Sequence, residues 1–286
     1  MAFRNTLKTA ALLGGIGGLL VLVGSALGGI GGAMIGLTLG LLIVGGSYWF
    51  SDKLAVRAAG AHEVSEQEAP QLHAMVRDLA TSAGLPVPRV YVSPAAQPNA
   101  FATGRNPRHA AVAVTEGLLT QCPPDELKAV LAHEMAHIRN RDILIGSVAA
   151  AIATGISFVA NMALFAGMFG GGDDDDGPSP AMTMLLAILA PIAAMILQMA
   201  LSRSREFEAD RVGAQILGDP EPLAKALTRI DRIAARTPLD VTPAQASAYI
   251  VNPLTGKRVQ FAKLFLTHPP VEERVARLRA LAPTGI

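Results

Sequence analysis

Residues 131–142 read Leu131-Ala132-His133-Glu134-Met135-Ala136-His137-Ile138-Arg139-Asn140-Arg141-Asp142. Two histidines four positions apart share one face of a helix, about one turn from each other. Their ring nitrogens can then reach one tetrahedral cation. Glu134, on the adjoining face, can reach a water on that cation but is poorly placed to ligate it. The chain just upstream reads as the start of such a helix. Pro124-Asp125-Glu126 puts proline in the first turn and acids beside the positive end of the helix dipole. A helix is therefore expected from Pro124 through His137 to about Asp142.

A catalytic metal needs three protein ligands and one open position, so another His, Glu or Asp must come from elsewhere. Glu206 is the candidate, in Ser202-Arg203-Ser204-Arg205-Glu206-Phe207-Glu208-Ala209-Asp210. It shares a helix face with Asp210, four residues on. Asp210 in turn suits a hydrogen bond from the distal nitrogen of a ligating histidine, which would fix its tautomer. Glu208 falls on another face, toward solvent. The competing reading makes Glu206 a surface carboxylate paired with Arg203 or Arg205.

Around these motifs the composition is that of a membrane protein. Of 286 residues, 51% are hydrophobic and only 16% charged, against about a quarter charged in a soluble domain. Mean hydropathy is +0.38. Residues 9–50 carry no charge, a length that suits two spans, near 8–26 and 30–50, with a break near Ser25 to Ile30. A cleaved signal peptide would have a shorter apolar core followed by polar chain. Gly28, Gly32, Gly36 and Gly40 recur on one helix face, where small residues let membrane helices approach closely. Residues 143–170 and 181–202 are again uncharged, giving about four spans. Arg4, Lys8, Lys53, Arg57, Arg139, Arg141, Arg203 and Arg205 flank the spans on one side, and Asp173 to Asp176 lie on the other. The positive-inside rule then puts both termini, 51–142 and 203–286 in the cytoplasm. A net charge of +1 offers no field to attract nucleic acid. Cys122, the single cysteine, excludes an internal disulfide and a Cys-rich zinc site.

The polar segments read as α+β. Glu66 to Ser82 has helical spacing and is closed by Gly84. Val90 to Val92, Ala100 to Thr103 and Ala110 to Val114 are strand candidates, the last two joined by the turn-rich Gly104-Arg105-Asn106-Pro107. Helices are expected over Ser202 to Leu217, Pro222 to Ala235 and Pro270 to Leu281. His62, His73 and His109 read as surface residues.

The run at 131–142, Ser204-Arg205-Glu206-Phe207-Glu208-Ala209-Asp210, Pro98-Asn99-Ala100-Phe101-Ala102-Thr103-Gly104 and Thr267-His268-Pro269-Pro270 together resemble the HtpX family of membrane-bound zinc metalloproteases, related to the CAAX-prenyl endopeptidases. The resemblance covers nearly the whole chain. It implies a mostly helical α+β fold of the gluzincin type with a small β-sheet, plus about four transmembrane helices. The organisation would be a transmembrane hairpin at 1–50, a cytoplasmic protease part at 51–142, a second hairpin at 143–202 and a second cytoplasmic part at 203–286. It further implies one Zn2+ per chain held by His133, His137 and Glu206, with Glu134 as general base and Asp210 behind the ligands. Asn99, Ala100, Phe101, Ala102, Thr103 and Gly104 would form an edge strand that takes substrate peptide as an added strand. His268 or Arg274 would stabilise the oxyanion; otherwise His268 is a capping residue and Arg274 a solvated charge.

The expected location is the bacterial inner membrane, multi-pass. The expected substrates are misfolded or damaged membrane proteins, in quality control beside other membrane proteases. Other readings are processing of a specific or prenylated peptide, a metal-binding scaffold without proteolysis, and a metal transporter. A transporter would want carboxylates or histidines inside the spans, and 143–170 and 181–202 have none.

Overall fold

The computed structural model describes residues 2–145, 203–237, 249–251 and 269–281. The chain starts with a helical run, α1, Ala2–Ala58. This run folds back on itself. Gly29 has φ +57, a Cβ on Gly36 would collide with the backbone of Leu20, and one on Gly40 would lie 3.4 Å from the Cα of Gly17. In a straight helix these pairs would be more than about 20 Å apart. The two arms therefore cross at glycines, where the backbones can touch. Judged on the described residues, no helix is long and apolar enough to cross a membrane. Many large apolar side chains of this hairpin nevertheless stand exposed, among them Leu22, Ile30, Met34, Ile35, Leu41 and Leu42.

After the hairpin come β1 (His62–Glu63), α2 (Pro70–Ala83), β2 (Arg89–Ser93), β3 (Ala100–Gly104), a short 3-10 turn (Pro107–His109) and β4 (Ala110–Thr115). They are followed by α3 (Glu116–Gln121), α4 (Pro124–Asn140), α5 (Arg203–Leu217), α6 (Glu221–Ala234) and α7 (Val271–Arg279). The helix expected from Glu66 begins only at Pro70. Proline lacks an N–H and fits the first turn, and Glu68 accepts from the N–H and hydroxyl of Ser65 at 2.7 Å, holding 65–68 as a separate turn. Two elements are additions to the expected set, β1 and α3; α3 is capped by Thr115, whose hydroxyl accepts from the Leu118 N–H. His73 is not a free surface residue, because its Nε2 lies 2.9 Å from the Val64 carbonyl.

The sheet order is β1-β2-β4-β3, with β2 and β4 parallel and β3 antiparallel to β4 at the edge. All six β4 residues are buried, so both faces of the sheet are covered. Val112 and Val114 join the main core with Leu72, Val76 and Leu79 of α2 and Leu131 and Met135 of α4. Ala111 and Ala113 pack on the opposite face with Val56 from the end of α1, Phe101 and Tyr249. α4 is consequently buried on nearly every side, packed against α2, α5, α6 and β3. Of the segments expected to span a membrane, 143–170 beyond Ile145 and 181–202 lie outside the described residues, as do Asp173 to Asp176 and His268.

Candidate metal centre

Two helices from distant parts of the sequence meet at the site. α4 carries His133, Glu134 and His137, and α5 carries Glu206 and Asp210. The close crossing depends on Gly213, since a Cβ there would lie 2.9 Å from the Cα of His133. One ligand atom from each of His133, His137 and Glu206 lies within 4.8 Å of the others. The Nε2 atoms of His133 and His137 face each other at 3.0 Å. Glu206 oxygens stand 3.7 Å from each of them. Two imidazole lone pairs repel at that distance unless a proton or a cation lies between them. Two nitrogens and a carboxylate oxygen are also a donor set that suits a catalytic transition metal. The residues present therefore fit a metal ion.

The other ring nitrogens are turned away from this point and toward carboxylates. His133 Nδ1 lies 2.9 Å from Asp210 Oδ1, close in distance although off the line of a well-formed hydrogen bond. His137 Nδ1 lies 3.0 Å from Asp142 Oδ1. That pattern leaves Nε2 as the metal-facing atom in both rings. Asp142 was expected inside the helix, but α4 ends two residues earlier. Arg141 takes a left-handed conformation (φ 56, ψ 37), and the Asp142 N–H then donates to the His137 carbonyl at 3.3 Å. The turn brings the Asp142 side chain back onto the ring of His137. The spacing His137 to Asp142 is visible in the sequence; the turn that makes it useful is not.

Arg274 occupies a different place from the one expected of an oxyanion group. It is fully buried on α7, with Nε and Nη2 donating to Asp210 at 2.8 and 2.7 Å and Nη1 donating to the Ile250 carbonyl at 2.7 Å. Its guanidinium is committed behind His133, and so it is neither a solvated charge nor open to substrate. Asp210 feels burial, which raises its pKa, but Arg274 and His133 outweigh it and hold the carboxyl at about 2. For His137, burial works downward, and Asp142, Glu206 and Glu134 overcome it, raising the imidazole to about 10 without a metal. Glu134 is pushed up to about 7, mainly by burial and further by Glu206, against the lowering effect of His137, the Ala102 N–H and Arg274.

The strand β3 runs alongside α4. Its Phe101 and Thr103 pair with β4, as Asn99 does through its carbonyl, so the main chain of Ala100 and Ala102 points outward. The Ala100 carbonyl accepts from the Ile250 N–H at 3.1 Å, and Ala102 faces Glu134. The Asn99 side-chain amide donates to the Val251 carbonyl at 3.0 Å. Residues 249–251, which no motif singled out, thus tie the edge strand to Arg274 and through it to Asp210.

The family model described as "Peptidase family M48" matches residues 66–282. The chain belongs to that family. Among curated proteins, a "Protease HtpX homolog" of Pelotomaculum thermopropionicum is 50% identical over 281 residues, covering 97% of this chain and 99% of that one. Another of the same description, from Burkholderia thailandensis, is 50% identical over 289 residues, with 98% of each chain covered. Among solved structures, S. mikatae Ste24p aligns with a TM-score of 0.53 at 19% identity, over 96% of this chain and 66% of that one, a likeness of fold. This family member is a metalloendopeptidase, and the His133–His137–Glu206 cluster is compatible with its metal site.

Proposed function

We propose that the chain is a zinc-dependent endopeptidase of the bacterial inner membrane that cleaves misfolded or damaged membrane proteins at the cytoplasmic face. The observation that carries the catalytic part is the convergence of His133, His137 and Glu206 within 4.8 Å beside a buried Glu134. One zinc ion held by these three residues supplies Lewis acidity to water and to the scissile carbonyl. Glu134 accepts the proton of the attacking water and returns it to the leaving amine nitrogen. Substrate adds as a strand beside the outward main chain at Ala102 to Gly104, beyond the position that Ile250 takes at Ala100. Asn99 to Phe101 then act mainly by shaping this edge. Arg274 acts through Asp210, and His268 remains the oxyanion candidate of the C-terminal part.

Membrane residence is supported by the uncharged stretch 9–50, the exposed apolar side chains of the hairpin and the basic residues at its two ends. At its exit the Arg105 guanidinium stacks 4.8 Å over the Trp49 ring, a pairing that suits the boundary between lipid and water. The test uses the full chain in detergent, with a destabilised membrane protein and its folded parent as substrates. Glu134→Gln should retain zinc and lose about 100- to 10,000-fold in cleavage rate. Undiminished cleavage refutes the role of Glu134. Equal cleavage of folded and destabilised substrates refutes the quality-control reading.

A further inference from the structure

Asp142 is the last residue of the run at 131–142, and the chain makes an unfavourable turn to deliver it to His137. Among the described residues, Arg141 is the only non-glycine with a positive φ. The left-handed conformation is unfavourable for a side-chain-bearing residue, and helices usually stop on glycine for that reason. At this helix end the arrangement grips one residue twice. The Asp142 N–H meets the His137 carbonyl at 3.3 Å, and the Asp142 carboxylate meets the His137 ring at 3.0 Å. Asp142 is itself buried. Arg205, the neighbour of Glu206 on α5, is 9% exposed and lies in the field of Asp142 and Glu206.

We propose that Asp142 is a positioning residue of the metal centre that holds His137 with Nε2 toward the metal, as Asp210 does for His133. This rests on reading the three-residue cluster as a metal site. The site would then stand on two carboxylate braces, one per histidine. The His137 brace belongs to the turn that leads straight into residues 143 onward.

The experiment measures zinc affinity of the full-length protein in detergent by competition with a chromogenic chelator. It also records the visible spectrum of the cobalt-loaded form. Asp142→Asn and Asp142→Ala should weaken zinc binding about 10- to 100-fold, with alanine the worse, and alter the cobalt spectrum. At saturating zinc, kcat should fall while KM stays close to the parent value. Asp142→Glu, which keeps a carboxylate, should recover part of the affinity lost in Asp142→Asn and serves if the other Asp142 variants do not fold; an Asp142→Glu protein no better than Asp142→Ala counts against the inference. Parent-like affinity and spectrum in a folded Asp142→Asn protein overturn it. His133→Ala separates the two levels of the argument. If it keeps full zinc stoichiometry, the metal-site reading itself is wrong; if it abolishes zinc while Asp142→Asn binds normally, only the brace is wrong.

Discussion

The two histidines of α4 are the same side chain one turn apart, but they are held by different kinds of structure. His133 is completely buried and is braced by Asp210 and Arg274, which arrive from α5 and α7 late in the sequence. His137 keeps 17% of its side chain exposed, and its carboxylate partner lies five residues further along the same chain. The local brace can form together with the end of α4. The distant one exists only after the C-terminal part has docked, which requires closing a long loop. One half of the site therefore reports on a helix and its cap, and the other on the whole tertiary fold.

Breaking the distant brace should have the largest effect on stability. Arg274→Met removes the bidentate partner of Asp210 and leaves a buried carboxylate uncompensated, at a cost of about 3–5 kcal/mol. Urea titration of the metal-free protein in mild detergent should show the lowered midpoint. Zinc affinity of the folded fraction should drop as well. Parent-like stability would mean that Asp210 finds another partner and that the two histidines are not held so differently.

A narrower change sharpens the same contrast. Gly213→Ala places a methyl 2.9 Å from the His133 Cα and 3.0 Å from its N, both backbone atoms that cannot swing aside. α5 must then move away from α4, at a cost of roughly 1–3 kcal/mol. Because Glu206 and Asp210 ride on α5 whereas Asp142 follows α4, the substitution should disturb the environment of His133 more than that of His137. NMR of histidine ring nitrogens in labelled protein would distinguish the two. Equal perturbation of both rings would count against separate bracing.

The smallest effect concerns pH and the metal-free state. The Glu134 carboxyl sits at about 7, raised by burial and by Glu206, whereas in an unfolded chain it titrates near 4.3. The folded protein thus holds this proton more tightly. The associated stability is complete below about pH 4.3 and is lost as pH rises through about 7. Glu134→Gln has no such loss. Its advantage over the parent in urea melts should grow between about pH 4.3 and 7. Parallel stability–pH curves for the two proteins would show that Glu134 is not held protonated.

The sequence was most readable where function and local structure coincide. The helix Pro124–Asn140 and the pairing of its histidines follow from spacing alone, and the β3–β4 hairpin follows from two short apolar runs around a turn. Glu206 and Asp210 are legible as a pair because they share a helix period, and Glu206 reads from that spacing as the candidate third ligand, a part the family resemblance also implies. The role of Asp142 is not legible because a helix continued through it turns its side chain away from His137; only the unusual backbone of Arg141 returns it. The burial of Arg274 is not legible because a charge near the C-terminus says nothing of its surroundings, and its partner Asp210 is 64 positions away. The strap at 249–251 has no periodicity and no motif. It matters through its main-chain groups, to which side-chain chemistry gives no clue. The short helix α3 has too few residues to display a pattern.

The end of α1 bears on how this enzyme can be handled. The Thr103 hydroxyl donates to the Ser51 carbonyl at 3.4 Å, Arg105 donates to the Trp49 carbonyl at 3.3 Å, and the Ser93 hydroxyl donates to the Ala59 carbonyl at 2.7 Å. Arg89 is paired with Asp52. The far end of β3 is thus fastened to the last turns of the hairpin. A fragment cut at residue 51 to gain solubility would strip Trp49 from Arg105 and fray the turns that hold Asp52 and Ser51. An inactive truncated protein would then report on a loosened strand, and not on the competence of the metal ligands.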